Sequence, residues 1–260
     1  MTGWAVVVPV KSWQVAKSRL TGMHARARKE LARAFAHDTV RTVCDTPRVD
    51  ACFVVAPAAE LWDLARALGD RGLCPVLEPE ALDGRDTLNA ALACGRDIAL
   101  GSGHRRVALL VADLPGLSGE GLTGFLRMVP AERPAFIRDV HGTGTTVLAS
   151  RQGALLRPRF GHDSAVRHRS SGAVDLTSRC DPRLSHDVDT WLDLGAVSRV
   201  AGPWVNRWFE DSRSMLATLS RSRTGRFAEE GDADPPQPGN PRSGRCPPET
   251  EAREPRATRA

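Results

Sequence analysis

No C-x-x-C pair, no Walker-type phosphate loop, no G-x-G-x-x-G directly following a strand and no G-x-S-x-G occur in these 260 residues. These absences argue against a zinc ribbon, a P-loop NTPase, a nicotinamide dehydrogenase and a nucleophile-elbow hydrolase. The six cysteines, at 44, 52, 74, 94, 180 and 246, stand singly, several in apolar surroundings such as Ala51-Cys52-Phe53-Val54-Val55. They read as small buried hydrophobes of a reducing cytosol, not as a disulfide frame. No apolar run approaches the roughly 20 residues of a membrane span, and the N-terminus starts a strand almost at once, without a signal-peptide layout. The expectation is a soluble, cytoplasmic protein with no membrane partner. No Lys/Arg run with interleaved aromatics marks a nucleic-acid surface. The net charge of +5, from 36 basic and 31 acidic residues, fits small anionic substrates or simply an arginine-rich composition.

Against these absences stands a regular alternation. Apolar runs at Trp4–Val10, Ala51–Ala56, Leu73–Leu77 and Arg106–Ala112 read as strands buried on both faces. Between and after them, helical spacing covers residues 25–43, 60–68, 87–100 and 119–129. Strand and helix alternating at short spacing predict an α/β fold, a mostly parallel sheet with helices on both faces. Ligands of such sheets bind outside the carboxyl ends of the strands, which sets the loop from Lys11 and the Asp113 turn on one rim. Further on, residues 135–138 and 145–150 look like strands flanking a Gly142-Thr143-Gly144 turn. Ser164–Ser171 opens a short helix, 174–176 and 184–188 are short extended pieces, 190–197 is helical, and 203–219 is a last helix or a loosely held arm. Residues 1–212 form the expected catalytic domain. Residues 213–260, rich in Pro, Arg and Glu, form an expected disordered tail.

Several short motifs carry chemistry, each with a plainer structural reading beside it. Lys11, Lys17 and Arg19 place three cations after the first strand, to line a triphosphate or as a solvated basic loop. Asn89 either caps a helix or reads a ligand group. Asp113, directly after a buried strand and before Leu114-Pro115, suits a metal ligand or a turn. Asp187 and Asp189, two apart, lie on one face of an extended segment and need a cation to relieve their repulsion. With Asp113 they could form one Mg²⁺ site, while Asp189 or Thr190 could also cap the next helix. Thr143, Gly144, Thr145 and Thr146 put hydroxyls on a turn open to close backbone approach. Gly161, Asp163 and Ser164 precede a helix whose N-terminus would favour an anion, or are its cap.

In order along the chain, Val8-Pro9-Val10-Lys11 with Ala16-Lys17-Ser18-Arg19-Leu20, Leu88-Asn89-Ala90-Ala91-Leu92, Ala112-Asp113-Leu114-Pro115, Gly142-Thr143-Gly144-Thr145-Thr146, Arg159-Phe160-Gly161 with Ser164 and His168, and Asp187-Val188-Asp189-Thr190 resemble the guanylyltransferases of deazaflavin coenzyme F-420 biosynthesis. The resemblance runs from about residue 4 to 195. It implies a nucleotidyltransferase (glycosyltransferase-A-like) three-layer sandwich that transfers GMP from GTP to phosphoenolpyruvate, releasing pyrophosphate. It further implies that Thr145, Gly161 and Ser164 bind phosphoenolpyruvate, with Thr146 an alternative to Thr145, and that Asp113 and Asp189, with Asp187, hold Mg²⁺. Lys11, Lys17 and Arg19 would then face the triphosphate, and Asn89 would lie near the nucleotide. Rival readings are the same chemistry on 2-phospho-L-lactate or 3-phospho-D-glycerate, and a non-catalytic nucleotide-binding scaffold. The sequence leaves the oligomeric state open.

Overall fold

Seven strands form one sheet in the computed structural model, in the order β3-β2-β1-β4-β6-β5-β7. They are β1 (Trp4–Pro9), β2 (Val49–Ala56), β3 (Leu73–Leu77), β4 (Val107–Leu110), β5 (Ala135–Arg138), β6 (Thr145–Ser150) and β7 (Val174–Asp175). The structure describes residues 3–14, 17, 20, 22–69, 71–79 and 86–213. The tail expected from residue 213 lies outside them apart from Arg213, as does Arg19.

The first four strands pair in parallel, β2 with β3 and β1 on either side with β2 and β4. The sheet then reverses. β6 runs antiparallel to both β4 and β5, and β7 adds in parallel to β5. The helices are α1 (Ala25–Cys44), α2 (Ala58–Leu68), α3 (Thr87–Gly101), α4 (Gly119–Met128), α5 (Ser164–Ser170) and α6 (Trp191–Val197). Alternation along each strand sorts the core into two layers. Trp4, Val6 and Val8 face a cluster completed by α1, α2 and α4. Ala5 and Val7 face a second one completed by α3 and α5. This is the mostly parallel, doubly covered sheet expected from the apolar runs, whose continuity follows from burial on both faces. No helix among the described residues is long and apolar enough to cross a membrane.

One local expectation is corrected. Residues 184–188 were expected to be extended, but Pro182–Ser185 forms a 3-10 turn with Pro182 at its start, and the Asp181 carboxylate accepts from Arg183 N–H. A proline with its fixed φ, next to a capping aspartate, favours such a turn over a strand.

A third apolar cluster lies on the outer side of α1, where Leu31, Ala34 and Phe35 meet Val188, Leu194, Val197 and Val205. Residues 203–213 are helical, and α1 supplies their cap. The buried Asp38 carboxylate accepts from Trp204 N–H at 3.1 Å and Val205 N–H at 2.9 Å. Gly202 allows the approach, since a Cβ there would lie 2.3 Å from Asp38 Oδ1. Burial pushes the Asp38 carboxyl from 3.8 up to about 6, against the pull of the two backbone N–H groups and Arg41. The folded chain therefore holds this proton more tightly than the unfolded chain. Its stabilising contribution is full below about 3.8 and is lost as pH rises through about 6. Urea denaturation should show the wild type losing on the order of 2–3 kcal/mol relative to Asp38→Asn between pH 4 and 7. A pH-independent difference between the two would contradict the assignment.

Candidate active site

The carboxyl ends of β1 and β4, the start of β6 and the chain after residue 186 meet around a cleft of about 580 Å³. Each arrives for a local reason. The run of β4 stops before Asp113, and Leu114 N–H donates to the Thr39 hydroxyl of α1, pinning the turn. Val188 N–H donates to the Asp113 carbonyl. Val188 is buried against α1, while Asp187 and Asp189 on either side of it line the cleft. Thr190 caps α6 in a capping box with Asp193, so the capping role falls to Thr190 and leaves the Asp189 carboxylate to the cleft.

Among the described residues, Lys17 answers the acidic wall directly. Lys17 Nζ lies 2.5 Å from Asp113 Oδ2 and 3.5 Å from Asp189 Oδ1, and also donates to the Val188 carbonyl. Its side chain is only 8% exposed. Burial alone would pull the ammonium pKa down, but the charges of Asp113 and Asp189 and the hydrogen bond to Asp113 outweigh it, and the pKa ends above its usual value. Lys17 adopts φ 57, a left-handed conformation that a lysine keeps only where its surroundings hold it there. Lys11 also lines the cleft, near its mouth and exposed.

Asp187 is the least compensated of the three acids. Its Oδ1 is buried without a hydrogen-bond partner. Burial, then the charges of Asp113, Asp189 and Asp139, push its carboxyl up to about 8 against the opposing pull of Lys17. Among the described residues no three acidic, histidine or cysteine side chains are arranged to hold an ion as they stand, and Lys17 bridges Asp113 and Asp189 instead. The donor set nevertheless fits a hard divalent cation. It consists of oxygen ligands, two of them already converging on one positive charge and a third lacking a partner.

A second wall carries hydroxyls and a glycine turn, with Asp139 folded into the turn. Thr145 lines the cleft, whereas Thr146 points away and donates to the Leu184 carbonyl at 2.6 Å. Strand alternation at the start of β6 thus settles which threonine faces the ligand space. Ser164 is wholly buried behind Thr145 and donates to its Oγ1 at 3.1 Å. Asp139 Oδ1 accepts from Thr143 N–H at 2.9 Å, closing the hairpin loop. A Cβ on Gly144 would come 2.3 Å from Asp139 Oδ2, so this turn requires glycine. Gly161, at φ 105, lines the cleft beside it.

Asn89 is engaged elsewhere. Asp86, not Asn89, caps α3. The Asn89 amide grips the Phe160 backbone from both sides, accepting from its N–H at 2.7 Å and donating to its carbonyl at 3.1 Å. Its Nδ2 also donates to Asp86. Sequence reasoning missed this role and the loop-closing one of Asp139, and it marked His168 only as a member of the motif that begins at Arg159. Asn89 acts across 71 residues and Asp139 through its own loop, and no local pattern signals either role.

Solved structures of nucleotidyltransferase type share the architecture. A protein from Desulfovibrio desulfuricans G20 described as a nucleotide-diphospho-sugar transferase matches with a TM-score of 0.62 at 16% identity, over 84% of this chain and 98% of that one. A nucleotidyl transferase from Methanothermobacter thermautotroptrophicus matches with a TM-score of 0.54 at 16% identity, over 81% and 100%. Both likenesses show that this chain shares the fold of those proteins. No family model matches the chain. The phosphoenolpyruvate guanylyltransferase of Nocardia farcinica is 41% identical over 192 residues, 72% of this chain and 82% of that one. That of Streptomyces scabiei is 43% identical over 201 residues, 75% and 89%. This chain belongs to the phosphoenolpyruvate guanylyltransferase family.

The clamp on Phe160 gives a direct test. Asn89→Leu leaves that residue's N–H unpaired and its carbonyl with only the long bond from Arg167, and should cost about 1–3 kcal/mol in urea denaturation. Unchanged stability with a raised GTP KM would instead assign Asn89 to the nucleotide.

Proposed function

We propose that this enzyme transfers GMP from GTP to phosphoenolpyruvate, giving enolpyruvoyl-diphospho-guanosine and pyrophosphate, as a step of coenzyme F-420 biosynthesis. The observation that carries the reading is a single cleft with carboxylates gathered on one wall and hydroxyls and a glycine turn on the other. The names of the relatives support the choice of substrates.

A phosphate oxygen of phosphoenolpyruvate attacks the α-phosphorus of GTP. A new P–O–P bond forms as the bond from the α-phosphorus to the bridging oxygen breaks, and pyrophosphate leaves with that electron pair. The attacking phosphate is already ionised near neutral pH, so no strong general base is required. Catalysis rests on holding two polyanions together and balancing their charge. In this reading Asp113, Asp187 and Asp189 hold Mg²⁺. The ion, when bound, supplies neutralisation of the phosphates. Lys11, Lys17 and Arg19 attend the triphosphate, and Asn89 lies near the nucleotide through the Phe160 loop that it holds. Thr145, Gly161 and Ser164 take the acceptor, Thr145 by direct contact and Ser164 from behind it. The five described cysteines are free thiols, which supports a cytoplasmic setting. The reading needs neither nucleic acid nor membrane, and its catalytic domain is residues 1–212.

The deciding experiment is pyrophosphate release by the full chain with Mg²⁺ and GTP, comparing phosphoenolpyruvate, 2-phospho-L-lactate, 3-phospho-D-glycerate and no acceptor. Release that depends on phosphoenolpyruvate is expected, and release only with another acid would move the acceptor assignment. Asp113→Asn should lower turnover at least about a hundredfold, far more than it lowers folding stability in urea. A fully active variant would remove Asp113 from the metal site.

A further inference from the structure

Behind the acceptor wall lies a buried histidine that the reaction as described does not use. His168, on α5, is 1% exposed, and its ring lies 5.3 Å from that of Phe160 and 6.0 Å from that of Phe136, centroid to centroid. Its two nitrogens have different partners. Nε2 lies 3.1 Å from the backbone N–H of Arg159, which donates to it. Nδ1 lies 2.9 Å from Thr145 Oγ1. A backbone N–H can only donate, so Nε2 must be the unprotonated nitrogen. Burial, with the charges of Arg167 and Arg159, pulls the ring's pKa down to about 4, so it is neutral near pH 7. A neutral imidazole has one N–H, and here that N–H is on Nδ1 and donates to Thr145.

The polarity of the chain then propagates outward. Thr145 Oγ1 receives two hydrogen bonds, one from His168 Nδ1–H and one from the Ser164 hydroxyl at 3.1 Å. Ser164 is wholly buried, and Thr145 Oγ1 takes its proton. A hydroxyl oxygen has two lone pairs and one proton. With both lone pairs of Thr145 occupied from behind, its own O–H is left to donate, and Thr145 is the member of this group that lines the cleft.

We propose that His168 is a positioning residue for the acceptor, a tautomer-fixed imidazole that makes the Thr145 hydroxyl a hydrogen-bond donor towards the anionic oxygens of the bound phosphorylated acid. The inference rests on the acceptor site proposed above. A hydroxyl free to rotate would present lone pairs to an anion part of the time. One fixed as a donor presents only its proton and has no rotor entropy left to lose on binding. The backbone of Arg159 is the origin of this polarity, and that residue directly precedes Phe160, which Asn89 holds in place. The Asn89 clamp and the Thr145 donor are thus two ends of one hydrogen-bonded structure.

The test separates the two nitrogens. His168→Gln keeps an acceptor near the Nε2 position and loses the donor to Thr145, whereas His168→Asn keeps a donor near the Nδ1 position. His168→Gln is expected to raise the phosphoenolpyruvate KM about tenfold, the scale of one hydrogen bond to an anion, with the GTP KM unmoved. His168→Asn should recover most of that loss. Equal effects on both KM values, or no effect, would overturn the inference. The imidazole ¹⁵N shifts of the wild-type protein provide a reading that does not depend on variants folding. A protonated Nδ1 and bare Nε2 at pH 7 are expected, and the opposite tautomer or an imidazolium would overturn it. A wild type that releases no pyrophosphate with phosphoenolpyruvate overturns the functional reading and this inference with it. An active wild type whose phosphoenolpyruvate KM is unmoved by His168→Gln overturns this inference alone.

Discussion

Three carboxylates crowded on the rim of the sheet are the constraint around which the rest is arranged. Asp113, Asp187 and Asp189 come from two segments far apart in sequence and meet because Val188 N–H binds the Asp113 carbonyl. Like charges so close repel unless positive charge is brought to them. The protein supplies some of it through Lys17, which reaches Asp113 and Asp189 from the loop after β1. The orphaned Asp187 oxygen and its raised pKa show that one ammonium does not satisfy all three. A site built with this deficit favours a divalent cation over an empty cleft, because the cation brings the positive charge that Lys17 alone does not supply.

The elements that hold these acids in place also stabilise the fold. Thr39 on α1 pins the Asp113 turn, and Asp38, its neighbour in sequence, caps the helical residues 203–213. The Pro115 carbonyl in turn accepts from Gly202 N–H. One helix therefore connects the acidic turn to the last described segment of the chain. The cost of burying Asp38 is partly offset by two backbone donors, the same compensation that is incomplete at Asp187.

The parallel half of the fold was legible in the sequence because its strands are buried on both faces and carry unbroken apolar runs. Trp4–Pro9 and Val49–Ala56 stand out for that reason. The reversed half was legible only as elements. Residues 135–138 and 145–150 were readable as a hairpin, but nothing local says that β6 inserts between β4 and β5. At the site, the short acidic patterns and the Gly-Thr-Gly turn marked segments that the structure brings to one cleft. The identity of the cleft-facing threonine depends on the phase of alternation at the start of β6, which two adjacent threonines cannot reveal. Asn89 illustrates the other limit. Its partner Phe160 lies 71 residues away, so the sequence offered only a cap or a ligand contact, and the structure shows a clamp.

The two walls of the cleft answer anions by different means, and the difference has a physical logic. The acidic wall works through charge and needs an added cation, so its strength is set by what is bound. The Thr145 hydroxyl works through a dipole fixed in advance by His168 and Ser164. A charged group at Thr145 would compete for the polyphosphate and its cation. A neutral donor with a fixed direction attracts an anionic oxygen without that competition, and it can keep a phosphate and its attacking oxygen in line with a neighbouring phosphorus. Two polyanions can then occupy one cleft because only one wall depends on ionic charge to hold them.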